Sequence, residues 1–208
     1  YRNPQELIDI AGSFIMKNPK QIKKSLKSPK NLKKPVKIIY PQKNPIEKRE
    51  MIYNLIKNLS EKSEDVLILG RTNNNINQFI KHRNLVKKGN LKKDKFLRIL
   101  DKTDKSMNNV YYRTLHSAKG LEADNVIIIN MIDDYLGFPS KLKTHSVLSY
   151  VNTKNYDYKY SEERRLFYVG LTRSKNNVYL ISDKNNPSEF IEELIDDNPE
   201  NLEIIEYK

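Results

Sequence analysis

A single α/β domain built on a mostly parallel sheet flanked by helices is the fold class this sequence predicts. Three observations predict it. The 208 residues suit one domain with a core of its own. Five short apolar runs are separated mainly by helical patterns, the alternation that builds parallel sheets. The most apolar of them, residues 126–131 (VIIINM), is largely β-branched and reads as a strand covered on both faces.

From the N-terminus, Asn3-Pro4-Gln5-Glu6 predicts a helix start, with Asn3 as N-cap, Pro4 as the first helical residue and Glu6 as capping partner. Leu7, Ala11, Phe14 and Ile15 line its inner face. Residues 17–43 hold ten lysines, no acid, and Pro19, Pro29 and Pro35, so an exposed basic connection is expected, with a short strand over 36–40. Asn44-Pro45-Ile46-Glu47 repeats the helix-start chemistry, and Ile52, Leu55, Ile56 and Leu59 give the second helix its stripe. A strand over 66–69 ends at Gly70-Arg71-Thr72-Asn73, and a helix is expected over 76–82.

Residues 81–105 carry ten basic and three acidic side chains, and Phe96, Ile99 and Leu100 suggest one short helix there. A strand over 110–114 leads into a polar turn, 114–122, and then into the strand 126–131. Residues 132–160, with Gly137, Pro139 and several tyrosines, read as an irregular insertion. Ser161-Glu162-Glu163-Arg164-Arg165 opens a helix running to about Ser174, followed by a strand over 178–182 and a closing helix over 187–196.

Cysteine is missing from the sequence, which excludes disulfide partners, thiolate catalysis and cysteine-based zinc sites. No apolar run approaches a membrane span, and the first residues are not a signal peptide. A soluble, cytoplasmic protein is expected. The formal charge of +12 favours a polyanionic partner, although a lysine- and asparagine-rich bias would also produce it. The charges are segregated: residues 183–208 hold nine acids and two lysines, against the ten lysines of residues 17–43. That pattern suggests a basic face.

The chemistry concentrates in two stretches. The turn 114–122 holds the hydroxyl of Thr114, the imidazole of His116, the ammonium of Lys119 and the carboxylate of Glu122. Gly120 permits a tight turn or a close backbone approach to a ligand. Parallel sheets bind ligands at the C-terminal ends of their strands, where both this turn and Gly70–Asn73 are expected. The second stretch is the helix 162–174, whose Leu166, Val169, Gly170 and Thr172 face the sheet, with Arg165 and Arg173 on similar sides. Acids in its first turn and an arginine at its end suit the helix dipole, so helix logic alone makes Arg173 structural. His116 alone reads as a surface or core histidine. Asp133 and Asp134 follow a strand as magnesium-binding acids do, but none of the six glycines belongs to a phosphate loop G-x-x-x-x-G-K-[ST]. They read as loop acids, and no metal ligand is assigned.

TLHSAKGLEADNVIIINM, followed about thirty residues later by EERRLFYVGLTRSKNNVYLIS, resembles motifs V and VI of the UvrD/Rep-type superfamily 1 DNA helicases. VLILGRTNNNINQF (66–79), the opening Tyr1-Arg2, Gly137-Phe138-Pro139 and the closing PSEFIEEL are similar to further segments of the same domain, in the same order. The resemblance spans nearly the whole chain, 1–208, and implies the second, C-terminal RecA-like motor domain of an ATP-dependent DNA helicase or translocase, an enzyme class that also serves DNA repair.

Arg173 then matches the arginine finger of motif VI, and Arg2 a second arginine that reaches the γ-phosphate. A planar, permanently charged guanidinium suits phosphoryl oxygens. Tyr1 matches the tyrosine that stacks on adenine, and Glu122, with Gly120 beside it, the carboxylate near the nucleotide sugar. Arg71, Asn73, Thr114 and His116 match positions that contact single-stranded DNA, with groups suited to phosphates and bases. Lys119 would support the loop. His82 and His145 match nothing.

In the family, ATP and Mg2+ are held mainly by an N-terminal RecA-like domain, whose phosphate loop, metal-binding acids and water-positioning glutamine do not occur here. The chain is therefore expected to be a fragment that works with that partner domain and is inactive alone. Forty positions separate Asn73 from Arg113, where larger members insert a helical subdomain, which puts unwinding rather than translocation in doubt. Ala123 and Ser174 replace the usual phenylalanine and alanine. The alternative reading is a non-catalytic helicase-like module that binds nucleic acid or protein. The resemblance implies 3′ to 5′ movement, and the named contacts would also accept RNA.

Overall fold

The computed structural model describes residues 2–22, 25–62, 64–79, 85–88, 97–101, 109–141 and 158–207. The Tyr1, His82 and His145 readings, and most of the 132–160 insertion, lie outside these residues. Among the described residues, eight strands form one sheet in the order β3-β4-β5-β2-β6-β7-β1-β8. Five of them are the runs the sequence predicts: β1 (Val36–Tyr40), β2 (Val66–Gly70), β5 (Val110–Thr114), β6 (Asn125–Met131) and β7 (Val178–Ser182). They are contiguous, in the order β5-β2-β6-β7-β1, and all parallel.

The three further strands lie at the edges. β8 (Leu202–Glu206) extends the parallel sheet beside β1. On it Leu202 is buried and Ile204 exposed, and Glu203 pairs with Lys37 across the strands. β3 (Leu85–Lys88) and β4 (Leu97–Asp101) are antiparallel to their neighbours. The helix expected around Phe96, Ile99 and Leu100 is therefore a strand at residues 97–101. Ile99 is buried against the core and Arg98 exposed, and Asp101 is buried where Tyr53 Oη donates to it at 2.6 Å. Tertiary pairing overrides the helical spacing.

Helices cover both faces, as parallel strands require. One face packs Leu7, Phe14, Phe167 and Phe190 onto Leu69, Val126 and Ile128. They come from α1 (Gln5–Met16), α4 (Ser161–Leu171) and α5 (Glu189–Asp197). The other packs Met51, Ile52 and Ile56 of α2 (Pro45–Glu61), and Ile76 of α3 (Asn75–Phe79), onto Val66, Ile68, Ile127 and Ile129. The alternation Val126/Ile128 against Ile127/Ile129 places one strand in both cores.

Arg164 fastens the helices of the first face together. Its side chain is 3% exposed. It holds Glu193 bidentately, with Nη1 donating at 2.8 Å, and lies 4.9 and 5.1 Å from the ring centroids of Phe14 and Phe190. Burial raises the Glu193 pKa, but the hydrogen bond and charge of Arg164, with Lys17 beside it, outweigh burial and hold the carboxyl below its usual range.

The capping expectations divide. Asn44 caps α2 as expected, its side chain accepting from Ile46 N at 2.9 Å. Asn3 does not cap α1: Pro4 holds the N-cap position, and the Asn3 amide donates to Thr172 O at 3.0 Å and Ser174 O at 2.6 Å. Glu6 accepts from Leu32 N at 2.8 Å instead of closing a capping box. Distant carbonyls outcompete the local cap, and the N-terminal segment is tied to the residues just beyond α4. The basic connection is also fastened, with Lys30 Nζ donating to Lys175 O at 2.6 Å and Asn176 Oδ1 at 2.7 Å.

Candidate functional site

The two predicted clusters form near opposite ends of α4 and at opposite edges of the sheet. Arg71 and Thr114 stand at the C-terminal ends of β2 and β5, as expected. Glu122 and Arg173 instead flank the bridge between Ala123 and Ser174 just before β6 and β7, because the turn 114–122 has by then carried the chain back to the strand starts. The helix ends at Leu171, three residues short of the expected Ser174, so Thr172 and Arg173 already belong to the turn that follows. Arg173 is held by neutral acceptors: Nε donates to Val169 O at 3.0 Å, Nη1 to Leu121 O at 3.3 Å and Nη2 to Thr172 Oγ1 at 3.3 Å. Gly120, with φ of +81°, turns the chain so that Leu121 and Glu122 meet this end of the helix. Arg2 pairs there with Glu122 across 120 residues of sequence.

A cleft of about 390 Å³ opens between them, lined by Arg2, Glu122 and Arg173 on the polar side and by Ile8, Leu26 and Tyr168 on the other. Two guanidiniums, one carboxylate and an apolar wall meet the needs of a nucleotide: cations for phosphates, an acceptor for sugar hydroxyls, an apolar surface for the base. Gly120 shapes the turn without lining the cleft. Sequence reasoning missed Asn3, Tyr168 and the carbonyl of Leu121. The Asn-Pro start disguised Asn3 as a local cap, and a backbone carbonyl carries no residue-type signal.

Near the start of α4, Arg71 follows β2. Its Nε lies 3.0 Å from both oxygens of Glu163, and Nη2 donates to Oε1 at 2.8 Å. Glu163 is buried and also accepts from Ser140 N at 3.1 Å. Arg71 Nη1 lies 3.4 Å from Nδ1 of His116, and since the guanidinium can only donate, the imidazole nitrogen accepts. Burial first, then the Arg71 charge, lowers the His116 pKa; Glu163 and Glu162 oppose the shift. Thr114, opposite Gly70 in the β2–β5 register, shares a 2.8 Å hydrogen bond with Ser117 Oγ. Asn73 is exposed in the same turn as Arg71.

Arg71 and His116 are thus brought into contact, with Thr114 at the end of the adjacent strand. Glu163 was missed because two acids in a first helical turn already have a sufficient explanation in the helix dipole. Gly70 is required here: a Cβ would meet Tyr112 Oη at 2.5 Å, and that hydroxyl donates to Thr72 O within the Arg71 turn. Asp133 and Asp134 are exposed, and Asp133 pairs with Lys141 at 2.6 Å.

Residues 80–185, just over half of the chain, match the UvrD-like helicase C-terminal domain. This chain belongs to that family. It is 27% identical over 192 residues to DNA helicase IV of Escherichia coli (strain K12), an alignment covering 92% of this chain and 25% of that protein. It is 31% identical over 108 residues to the ATP-dependent DNA helicase PcrA of Staphylococcus epidermidis, covering 47% of this chain and 13% of the relative. The chain therefore spans a quarter or less of the length of these two helicases. Its fold matches a crystal structure of the C-terminal domain of a possible DNA helicase from Lactobacillus plantarum WCFS1, with a TM-score of 0.60, 15% identity and 98% of both chains covered. The five parallel strands, β8 and the antiparallel edge are thus one variant of a helicase C-terminal fold. Among the described residues, no helix is long and apolar enough to cross a membrane.

Proposed function

We propose that this UvrD-like C-terminal domain completes an ATP site shared with an N-terminal RecA-like domain and grips single-stranded DNA, as part of an ATP-dependent DNA helicase or translocase. The observation that carries the reading is the meeting of Arg2, Glu122 and Arg173, distant in sequence, around one cleft of about 390 Å³. ATP, with its Mg2+ held mainly by the partner domain, supplies the phosphoanhydride bond to be hydrolysed. Arg173 and Arg2 hold the phosphoryl oxygens, where a guanidinium offsets charge that builds during transfer. The carbonyls of Val169 and Leu121 aim Arg173 without neutralising it. Glu122 accepts from ribose hydroxyls, and Arg2 exchanges its carboxylate partner for phosphate. Arg71, Asn73, Thr114 and His116 take the strand at the C-terminal ends of β2 and β5, across the sheet from that cleft.

The test is DNA-stimulated ATP hydrolysis by a protein joining this chain to a phosphate-loop ATPase domain, with Arg173 intact or replaced by Ala. Lost turnover with nucleotide binding largely retained supports the finger role. Unchanged turnover removes Arg173 from the chemistry. This chain alone is expected to show no hydrolysis, and measurable turnover from it would overturn the shared-site reading.

A further inference from the structure

We propose that a basic cleft between the start of α2 and the ends of β6 and β7 binds the phosphate backbone of single-stranded DNA. It would continue the track that begins at Thr114, His116 and Arg71, and so rests on the strand-gripping reading above. The cleft measures about 340 Å³ and is lined by Lys43, Lys48 and Arg49, with Asn75, Asn130 and Asp183 among its polar neighbours. None of the three cations makes an ion pair or side-chain hydrogen bond among the described residues. By contrast, Lys17, Lys37, Lys141, Lys159, Lys175 and Lys184 all have carboxylate partners. The one acid in the lining, Asp183, accepts from Asn185 N at 2.9 Å and leaves the cleft with a positive excess.

Position makes the cleft a continuation. Asn75 lines it, and the Asn75 Oδ1 accepts from Thr72 N at 2.7 Å, fixing the turn that carries Arg71 and Asn73. The ends of β5, β2, β6 and β7 are successive neighbours, so about 14 Å along the edge separates the end of β5 from the end of β7 at ordinary strand spacing. A β-bulge between Ile128 and Met131, with Asn130 at φ of +65°, reshapes the end of β6 where it borders the cleft. Asparagine tolerates that left-handed backbone.

Charge makes it necessary. Arg71 is neutralised by Glu163, and the lowered pKa keeps His116 uncharged near neutrality. That cluster offers hydrogen-bond donors but little net charge, whereas affinity for a nucleic-acid backbone comes chiefly from unpaired cations. Lys43, Lys48 and Arg49 supply them.

The experiment is fluorescence anisotropy of the full chain with labelled oligothymidylates of about 3 and 12 nucleotides, titrated across salt. The shorter spans about 10 Å or less at about 3.4 Å per nucleotide, and the longer reaches well beyond the separation of the two regions. The variants are Lys43→Gln/Lys48→Gln/Arg49→Gln and Arg71→Ala. For the longer oligonucleotide the triple variant is expected to lose about 10-fold in affinity and about 2 units of salt slope, near 0.7 per phosphate contact. The shorter one should be affected little, while Arg71→Ala weakens both. The double variant Lys43→Gln/Lys48→Gln alters exposed positions alone and should lose about 1.4 units, which decides the matter if replacing the half-buried Arg49 disturbs folding. An unchanged longer-oligonucleotide affinity and slope would overturn this cleft while leaving the Arg71 track standing. Equal losses on both lengths, or a larger loss on duplex of the same length, would also overturn it. No binding of either oligonucleotide by the unmodified chain would remove the strand reading itself.

Discussion

Helix α4 has an arginine beside each end, and the two are wired differently. Arg173 is held by two backbone carbonyls and a hydroxyl, Arg71 by a buried carboxylate with which it makes three close contacts. Neutral acceptors orient a guanidinium and leave its charge available to an incoming anion. A carboxylate orients it and cancels the charge, so the group keeps its donors and loses its long-range pull. The first arrangement suits a site where charge develops during a reaction; the second suits a structural clamp that also touches a strand. On the proposed strand-gripping side the cation count would then come from elsewhere on the edge, and Lys43, Lys48 and Arg49, which have no ion pair among the described residues, are placed to supply it.

Substitutions at the two ends should separate these roles. The largest effect is expected for Arg173→Ala in a protein carrying both motor domains. Turnover should fall about 10³-fold or more, while urea unfolding of this chain shifts by less than about 1 kcal/mol, because the freed carbonyls can be hydrated. A large loss of stability would make Arg173 structural and erase the contrast. Glu163→Ala should behave the opposite way, costing about 2–4 kcal/mol in urea unfolding, since it leaves a largely buried Arg71 without its carboxylate and Ser140 N without an acceptor. A neutral result would mean that Arg71 is as free as Arg173.

Gly70→Ala should cost about 1–3 kcal/mol. The new Cβ would displace the buried Tyr112 hydroxyl, and with it the Thr72 carbonyl contact that shapes the Arg71 turn. DNA affinity should fall with stability, without any change in charge. The smallest effect concerns His116, whose folded pKa lies below its ordinary 6.5. The unfolded chain then binds more protons between these values, so stability is complete above pH 6.5 and declines as pH falls through it toward the folded pKa. His116→Gln should flatten that segment of the stability-versus-pH curve. An unaltered curve would mean that neither burial nor the Arg71 charge lowers the imidazole pKa in the folded chain.

The central sheet was legible because burial on both faces leaves continuous β-branched runs, and all five predicted strands form. The edge was not. Residues 97–101 carry apolar spacing that fits a helix, and pairing with β5 decides their state; β8 is a charged edge strand whose alternation is short and ends on exposed groups. Motif resemblance singled out Arg2, Arg71, Thr114, His116, Glu122 and Arg173 by side-chain chemistry, and the fold gathers them into two clusters. Their partners were hidden. Asn3 satisfies two carbonyls about 170 residues away, and Glu163 satisfies a guanidinium 92 residues away.

The sequence by itself determined the layer order of the core and the chemical groups brought to the edge, because periodicity and residue type are local properties. Only the tertiary structure decided which of those groups keep their charge. That depends on whether a carboxylate or a carbonyl from a distant segment arrives within hydrogen-bond reach, and no local pattern encodes it.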